Sequence, residues 1–500
     1  MQRIKLGKQA CRGGLLLLMT AASAVASAGI VSVSARQANA QTVTIDYELS
    51  SEAIVTADIL RDGASIGTNA LAVCTGDIMK RLPMGSHSFT WDARTGWPGH
   101  DGEAQTLTFK LTAWDVDTPP DVIVSDLRDG SLRYYPGLAA LPDGVTADRY
   151  KTTEIVFRRI PGTAAGEWTM GSPESEAGHV AKTQGNWGDE TQHRVRFTND
   201  WYMGVYPVTH AQYLRVKGTH PASFFTNALF RAKRPVDSLR FQEVRGSKWP
   251  EGLFDGAESG KVVDKFRTAS GLYLDLPTEA QWEFSCRTGT TTPYATGETL
   301  ADGRFADNGG YPSEAYPENI VGFVKGEIAG YRNWTYGNGA PEVGSFAPNG
   351  FGLYDMHGGV FEYCLDWADP NGWDTTCVYT NPVGVAILDS YAGCTVVTRG
   401  GAWSSAMTEC RSASRRIQNY QNAGGGSTEA PPFGFRLAIQ NVSPEVRREM
   451  RATSLSVTME SPVCVSIGTH EGLDARTVWT FETDYGTILT DKLGTLFILR

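Results

Sequence analysis

Cysteine is sparse, histidine is scattered, and long apolar runs are confined to one end of the chain. The 500 residues hold eight cysteines (Cys11, Cys74, Cys286, Cys364, Cys377, Cys394, Cys410 and Cys464), and no two of them form a CxxC pair. That spacing argues against a structural zinc site. The eight histidines (His87, His100, His179, His193, His210, His220, His357 and His470) contain no HxxxH pair, so they read as surface or hydrogen-bonded core residues rather than as a metal cluster. Positive charge is also in deficit, with 45 Lys and Arg against 55 Asp and Glu and a formal net charge of −10. An acidic chain is a poor partner for nucleic acid, whose phosphates call for a basic surface. It is compatible with capturing Ca²⁺ through carboxylates. Charged residues make up 20% and apolar residues 41%, which excludes a disordered chain.

What is abundant is glycine, with 55 residues, and tryptophan, with 13. Together with few apolar runs, they suggest a loop-rich fold pinned by aromatic side chains. The length predicts two or three domains.

Arg3, Lys5, Lys8 and Arg12 precede the apolar, small-residue stretch 14–31. The pattern reads as a secretory signal over residues 1–40, with "ANA" at 38–40 as the cleavage motif and "ASA" at 26–28 as a second candidate. The mature chain is then expected to be secreted, periplasmic or attached to the cell surface, with no transmembrane segment. Residues 1–40 carry five basic and no acidic residues, so their removal takes the net charge from −10 to −15. It also removes Cys11 and leaves seven cysteines, of which at least one must stay free or pair between chains.

Residues 42–118 alternate apolar and polar residues in "TVTIDYEL" and "TLTFKLTAWDV", with frequent turn signals between. This predicts a β-sandwich, and "GSHSFTWDARTGWPG" resembles the immunoglobulin- or fibronectin-like modules of secreted bacterial proteins. The Pro119–Pro120 pair opens a linker over 119–150. A larger domain spans 151–440. In it, "TEIVFRRIPG" and "GEWTMGSP" read as a hairpin, a helix begins near Thr209, and another covers 259–269. Thr278 with Gln281 predicts a capping box opening a helix in "LPTEAQWEFSCRTG", whose Trp282 and Phe284 dock it on the core. Residues 441–500 read as a tail with some β-like alternation and no assignable role.

Seven stretches fall in one order: "GEWTMGS" (166–172), "YPVTHAQY" (206–213), "LPTEAQWEFSCRTGT" (276–290), "PNGFGLYDMHGGVFEYCLDW" (348–367), "RGGAW" (399–403), "CRSASRR" (410–416) and "GFRLA" (434–438). Together they resemble the formylglycine-generating enzyme, or sulfatase-modifying factor, family. The resemblance implies an α+β, C-type-lectin-like domain with little regular secondary structure.

The family's oxidases convert a sulfatase cysteine to formylglycine with O₂ and copper held by two thiolates five residues apart. Counted from Arg399 without gaps, those positions fall on Ser405 and Cys410, and Ala402 stands where the family has serine; counted back from "RSASRR", the loop is shorter and Cys410 falls outside the pair, so the two-thiolate site is absent either way. A serine hydroxyl is a hard, poor ligand for Cu(I), so copper is not expected. The non-haem-iron branch of the superfamily needs an extra helical domain and a His-rich motif, which the scattered histidines do not supply. "YDMHGGVFEY" matches the family's structural calcium site, with Asp355, the carbonyls of Gly358 and Val360, and Glu362 as oxygen ligands. Asp355 and Gly359 replace asparagines there. Arg399, Trp403, Arg415 and Arg436 are candidate pocket residues, with buried pairing to Asp366 or Glu362 as the alternative. The polar stretch 417–432 suits an adaptable recognition loop. Three readings stay open: a calcium-stabilised module binding a peptide, protein or glycan, a sulfatase-maturing oxidase, and a structural surface protein.

Overall fold

The computed structural model describes residues 29–39, 41–100, 105–163, 166–181, 188–221, 232–246, 257–298, 340–368, 372–384, 395–402, 405–419, 432–442, 453–459, 479–483, 486–490 and 496–499. The fold is mixed helix and strand with short elements, as the resemblance implies.

The N-terminal sheets follow from period-two patterning. In Thr42–Leu49, Val43, Ile45, Tyr47 and Leu49 turn inward and are 3% exposed or less. They face Val55, Ala57 and Ile59 of Ala53–Arg61 and Leu107, Phe109 and Leu111 of Gln105–Trp114 in one core cluster. Trp91 packs edge-on against Phe109 at 5.6 Å and gives its indole N–H to the Ala70 carbonyl at 2.8 Å.

Three boundaries differ from those predicted. The sandwich begins at Ile30, because the strand Ile30–Asn39 pairs antiparallel with Thr42–Leu49, with Ala35 opposite Ile45 and Val33 opposite Tyr47. Its small residues resemble a signal peptide in composition but alternate inward and outward as a strand does. The predicted linker is also structured. Val122–Asp126 and Leu132–Tyr135 form a hairpin that joins the strand Glu154–Ile160. Finally, the tail returns to the first domain: Thr453–Met459 pairs antiparallel with Gln105–Trp114, on the edge opposite Ala53–Arg61, with Leu455 opposite Phe109 in the register. Three further strands, Trp479–Thr483, Gly486–Thr490 and Leu496–Leu499, extend that sheet.

In the larger domain, a six-stranded sheet runs in the order Leu132–Tyr135, Val122–Asp126, Glu154–Ile160, Asp200–Gly204, Ala438–Val442, Leu274–Asp275. The predicted hairpin is not formed. Glu154–Ile160 is buried along nearly its whole length and takes neighbours on both edges, whereas Trp168–Met170 pairs with His193–Arg196 in another sheet. A four-stranded sheet, Arg415–Asn419, Thr395–Arg399, Phe361–Trp367 and Phe433–Phe435, carries most of the site segments.

The helices sit close to their predicted starts. His210–Lys217 is capped by Thr209 with Gln212, and Glu279–Arg287 by Thr278 with Gln281, each as a reciprocal capping box. Val262–Ser270 covers the remaining prediction, shifted by a few residues. Among the described residues, no helix is long and apolar enough to cross a membrane.

Candidate functional site

The helix Glu279–Arg287 organises the site. Residues four apart share a helix face, so Glu279, Glu283 and Arg287 line up, and Trp282 lies beside them. Glu283 accepts from Arg287 at 2.8 Å and from Arg399 at 2.6 Å, and its other contact is the Gly171 N–H at 3.0 Å. Glu279 accepts from Arg399 at 2.8 Å and from two nitrogens of Arg415 at 2.7 and 2.5 Å. Arg399 also donates to the carbonyls of Ser412 and Ser414 at 2.9 and 3.1 Å, which fixes the 410–415 segment against the strand Thr395–Arg399.

These groups are dry. Arg399 and Glu279 are each 1% exposed and Glu283 is 0% exposed. Burial by itself would raise the Glu283 carboxyl, but Arg287 and Arg399 outweigh it and hold the group at about 2. Burial would likewise lower Arg399, and Glu279 and Glu283 reverse this into a raised pKa. Asp366 behaves in the opposite way. Burial, with the Glu279 charge beside it, lifts its carboxyl to about 8, although the Glu279 N–H donates to it at 2.7 Å.

Arg436 forms a second buried knot. It donates to both oxygens of Glu362 at 3.0 and 2.9 Å, and to the carbonyls of Gly204, Val205 and Tyr354. The Trp282 indole N–H completes the Glu362 shell at 2.7 Å. Arg399, Arg415 and Arg436 are therefore frame residues in this structure, 5% exposed or less, rather than cations presented to a pocket. The buried-pairing alternative holds for Arg436 with Glu362, whereas Arg399 and Arg415 choose Glu279 and Glu283. Those two glutamates were missed as site residues. Their signal was a pair of acids four apart on the face of a helix that must dock.

Ser405 and Cys410 come together. The Ala402 N–H donates to Ser405 Oγ at 3.2 Å, and the Cys410 thiol lies against the preceding residue, Gly401. Cys410 is fully buried at the end of the short helix Met407–Cys410, and burial pushes its thiol well above the ordinary value. It packs onto Gly401, whose left-handed backbone (φ 72°) leaves no room for a Cβ beside the sulfur. Trp403 and most of 417–432 lie outside the described residues.

The third group surrounds "YDMHGG". Two successive left-handed glycines, Gly358 and Gly359 (φ 87° and 80°), turn the chain between Asp355 and Val360. Asp355 Oδ2 accepts from the Gly344 N–H at 2.8 Å. Burial raises the Asp355 carboxyl to about 6 against that hydrogen bond and Arg436, and Glu362 adds to the rise. Asp355 and His357, with Thr296 and Asn349, are the polar side chains of a cleft otherwise walled by residues such as Pro207, Pro235, Phe346 and Met356. His357 sits 3.7 Å from the Cys286 sulfur through Nε2. Nε2 accepts from the Ala295 N–H at 3.1 Å, so Nδ1 carries the proton and donates to the Cys410 carbonyl at 2.9 Å. With both nitrogens engaged, the imidazole is not a base for Cys286, whose thiol burial raises to about 12.

Residues 158–441 match the FGE-sulfatase family, the sulfatase-modifying factor enzyme 1-like domain. The chain belongs to the sulfatase-modifying factor family. Its relatives include a formylglycine-generating enzyme of Streptomyces coelicolor, 28% identical over 335 residues covering 61% of this chain and 94% of that protein. Another is the serine/threonine-protein kinase pkn1 of Chlamydia caviae, 28% identical over 264 residues, which make up 50% of this chain and 35% of the kinase. This chain thus spans about a third of the length of the Chlamydia kinases it matches. Among solved structures, Treponema denticola variable protein 1 aligns over 57% of this chain and 95% of its own, at 19% identity and a TM-score of 0.37.

Two metals known for the sulfatase-modifying factor family can be tested against these residues. A two-thiolate copper site does not fit: Ser405 offers a hydroxyl already bonded to Ala402, and Cys410 is a single buried thiol in that loop. Calcium fits in part. Asp355 brings a half-buried, incompletely compensated carboxyl to a glycine turn, which suits a hard cation. Glu362 has roughly four acceptor positions, and three are taken by Arg436 and Trp282.

Proposed function

We propose that this sulfatase-modifying factor domain is an exported binding module that keeps the family's pocket without its copper chemistry. The observation that carries this reading is the loop itself, where the Ser405 hydroxyl is bonded to the Ala402 N–H and one buried thiol, Cys410, packs on the neighbouring Gly401, although two thiolates are needed. Its ligand would be a peptide, protein or glycan meeting the surface around 399–432. Calcium held by Asp355, with the carbonyls of Gly358 and Val360 and the remaining acceptor position of Glu362, would fasten the turn beside the cleft. The apolar, basic-flanked start of the sequence supports export.

The test is direct. The protein is incubated with Cu(I), O₂ and a Cys-x-Pro-x-Arg peptide, and the peptide mass is followed with a Cys410→Ala control. No mass change is expected. A conversion that vanishes in Cys410→Ala would establish the oxidase reading instead. Calcium should raise the melting temperature of the wild type and not of Asp355→Ala. An equal rise in both removes calcium from Asp355.

A further inference from the structure

The sequence offers two small-residue motifs for release of the export signal, Ala26-Ser27-Ala28 and Ala38-Asn39-Ala40. The fold distinguishes them. We infer that the signal is cut after Ala28, so that the mature protein begins at Gly29 and retains Ile30–Asn39 as a structural strand. The inference rests on the export reading above.

Ile30–Asn39 is integral to the sandwich. It meets Thr42–Leu49 at eight register positions, from Ile30 opposite Leu49 to Asn39 opposite Thr42. Ile30, Val33 and Ala35 are 8%, 8% and 4% exposed and belong to the same core cluster as Val43, Ile45 and Tyr47. Arg36 on the outer face reaches Asp46 at 3.0 Å. The clasp includes residue 29 itself: the Gly29 N–H donates to Ser50 Oγ at 3.1 Å, and the Ser50 N–H donates to the Gly29 carbonyl at 3.0 Å.

Scission after Ala40 would remove this strand whole. Thr42–Leu49 pairs with Gly85–Asp92 on its other edge, so its outer edge would become a row of unpaired N–H and C=O groups over an opened core. Such an edge is a template for association with other chains. The leader's anatomy agrees with the earlier site. Residues 15–25, "LLLLMTAASAV", form an apolar core of ordinary length running straight into "ASA". The later motif lies well beyond it and makes the leader longer than the usual 15–30 residues.

The full chain is expressed with its own leader in a bacterial host, and the exported product is read by intact mass and N-terminal sequencing. A start at Gly29 is expected, unchanged in Ala40→Leu and lost or diverted in Ala28→Leu. A start at Gln41, lighter by the mass of residues 29–40, overturns the inference while leaving export intact. A product that keeps Met1 and stays in the cytoplasm overturns the export reading itself. As an independent readout, residues 29–500 and 41–500 are compared without a leader. The shorter chain should melt at least about 5 °C lower or self-associate, and equal melting of two monodisperse proteins refutes a structural role for the strand.

Discussion

Replacing Glu279 by Gln isolates what the buried charges contribute. Glu279 is 1% exposed and receives one nitrogen of Arg399 and two of Arg415, all within 2.8 Å. Glutamine keeps the shape and one acceptor oxygen but deletes the charge. Arg399 retains Glu283 at 2.6 Å. Arg415 loses its carboxylate partner and keeps the Asp189 carbonyl at 3.1 Å and the Trp373 face. Removing one member of a buried ion pair costs about 3–5 kcal/mol, because the remaining charge is stranded away from water. For a cooperative unit of 150–250 residues that corresponds to a fall in Tm of roughly 6–20 °C. The control is Glu167→Gln, whose pairs with Arg194 and Arg196 join side chains 33–47% exposed. Such a pair contributes about 1 kcal/mol or less. Thermal and urea unfolding of the three proteins is the assay. A Glu279→Gln loss no larger than that of Glu167→Gln would refute the frame assignment and return Arg399 and Arg415 to the pocket.

Thr278→Ala removes the hydroxyl that caps Gln281 N at 3.2 Å and should cost about 1 kcal/mol in the same assay. Ser405→Cys adds a second thiol to the Cys410 loop, and should convert a chain that fails to retain Cu(I) through desalting into one that retains it in a Cys410-dependent manner. Asp366 titrates at about 8 in the fold against about 3.9 unfolded. Between these values the folded chain holds a proton that the unfolded chain lacks. Its contribution is therefore complete below about pH 4 and lost as pH rises through about 8. Glu283, held at about 2, gives up stability only under more acidic conditions. Wild type should accordingly lose Tm from pH 6 to 9 more steeply than Asp366→Asn, and parallel curves would rule out a protonated Asp366.

Local rules were legible and non-local ones were not. The Thr278–Gln281 capping box was written in four residues, because the hydroxyl at the cap and the amide three residues on satisfy each other without outside help. The inward alternation of Thr42–Leu49 was equally readable. Nothing within reach of Arg399, however, announces Glu279 and Glu283, which lie 120 and 116 residues away. Nor does "TSLSVTME" reveal that its partner is Gln105–Trp114 at the far end of the chain. The segment 30–39 misled for a different reason. Alanine, serine and valine satisfy the composition of a leader and the alternation of a strand together, and only the presence of an open edge on Thr42–Leu49 decides between them.

The arrangement also separates what holds the site from what the site does. The Arg399 guanidinium binds the carbonyls of Ser412 and Ser414 while Glu279 and Glu283 neutralise it. That clamp sets where Cys410 sits relative to Ala402 without asking anything of the side chain at 405. Exchanging a thiol for a hydroxyl there changes metal affinity from soft to hard, yet leaves the Ala402 N–H satisfied and the clamp untouched. Exchanging Glu279 strands buried charge and strikes the frame. A fold with so little regular secondary structure relies on such desolvated pairs to fix its loops. The same pairs that were candidate ligand contacts are therefore the reason the pocket can change its chemistry without losing its shape.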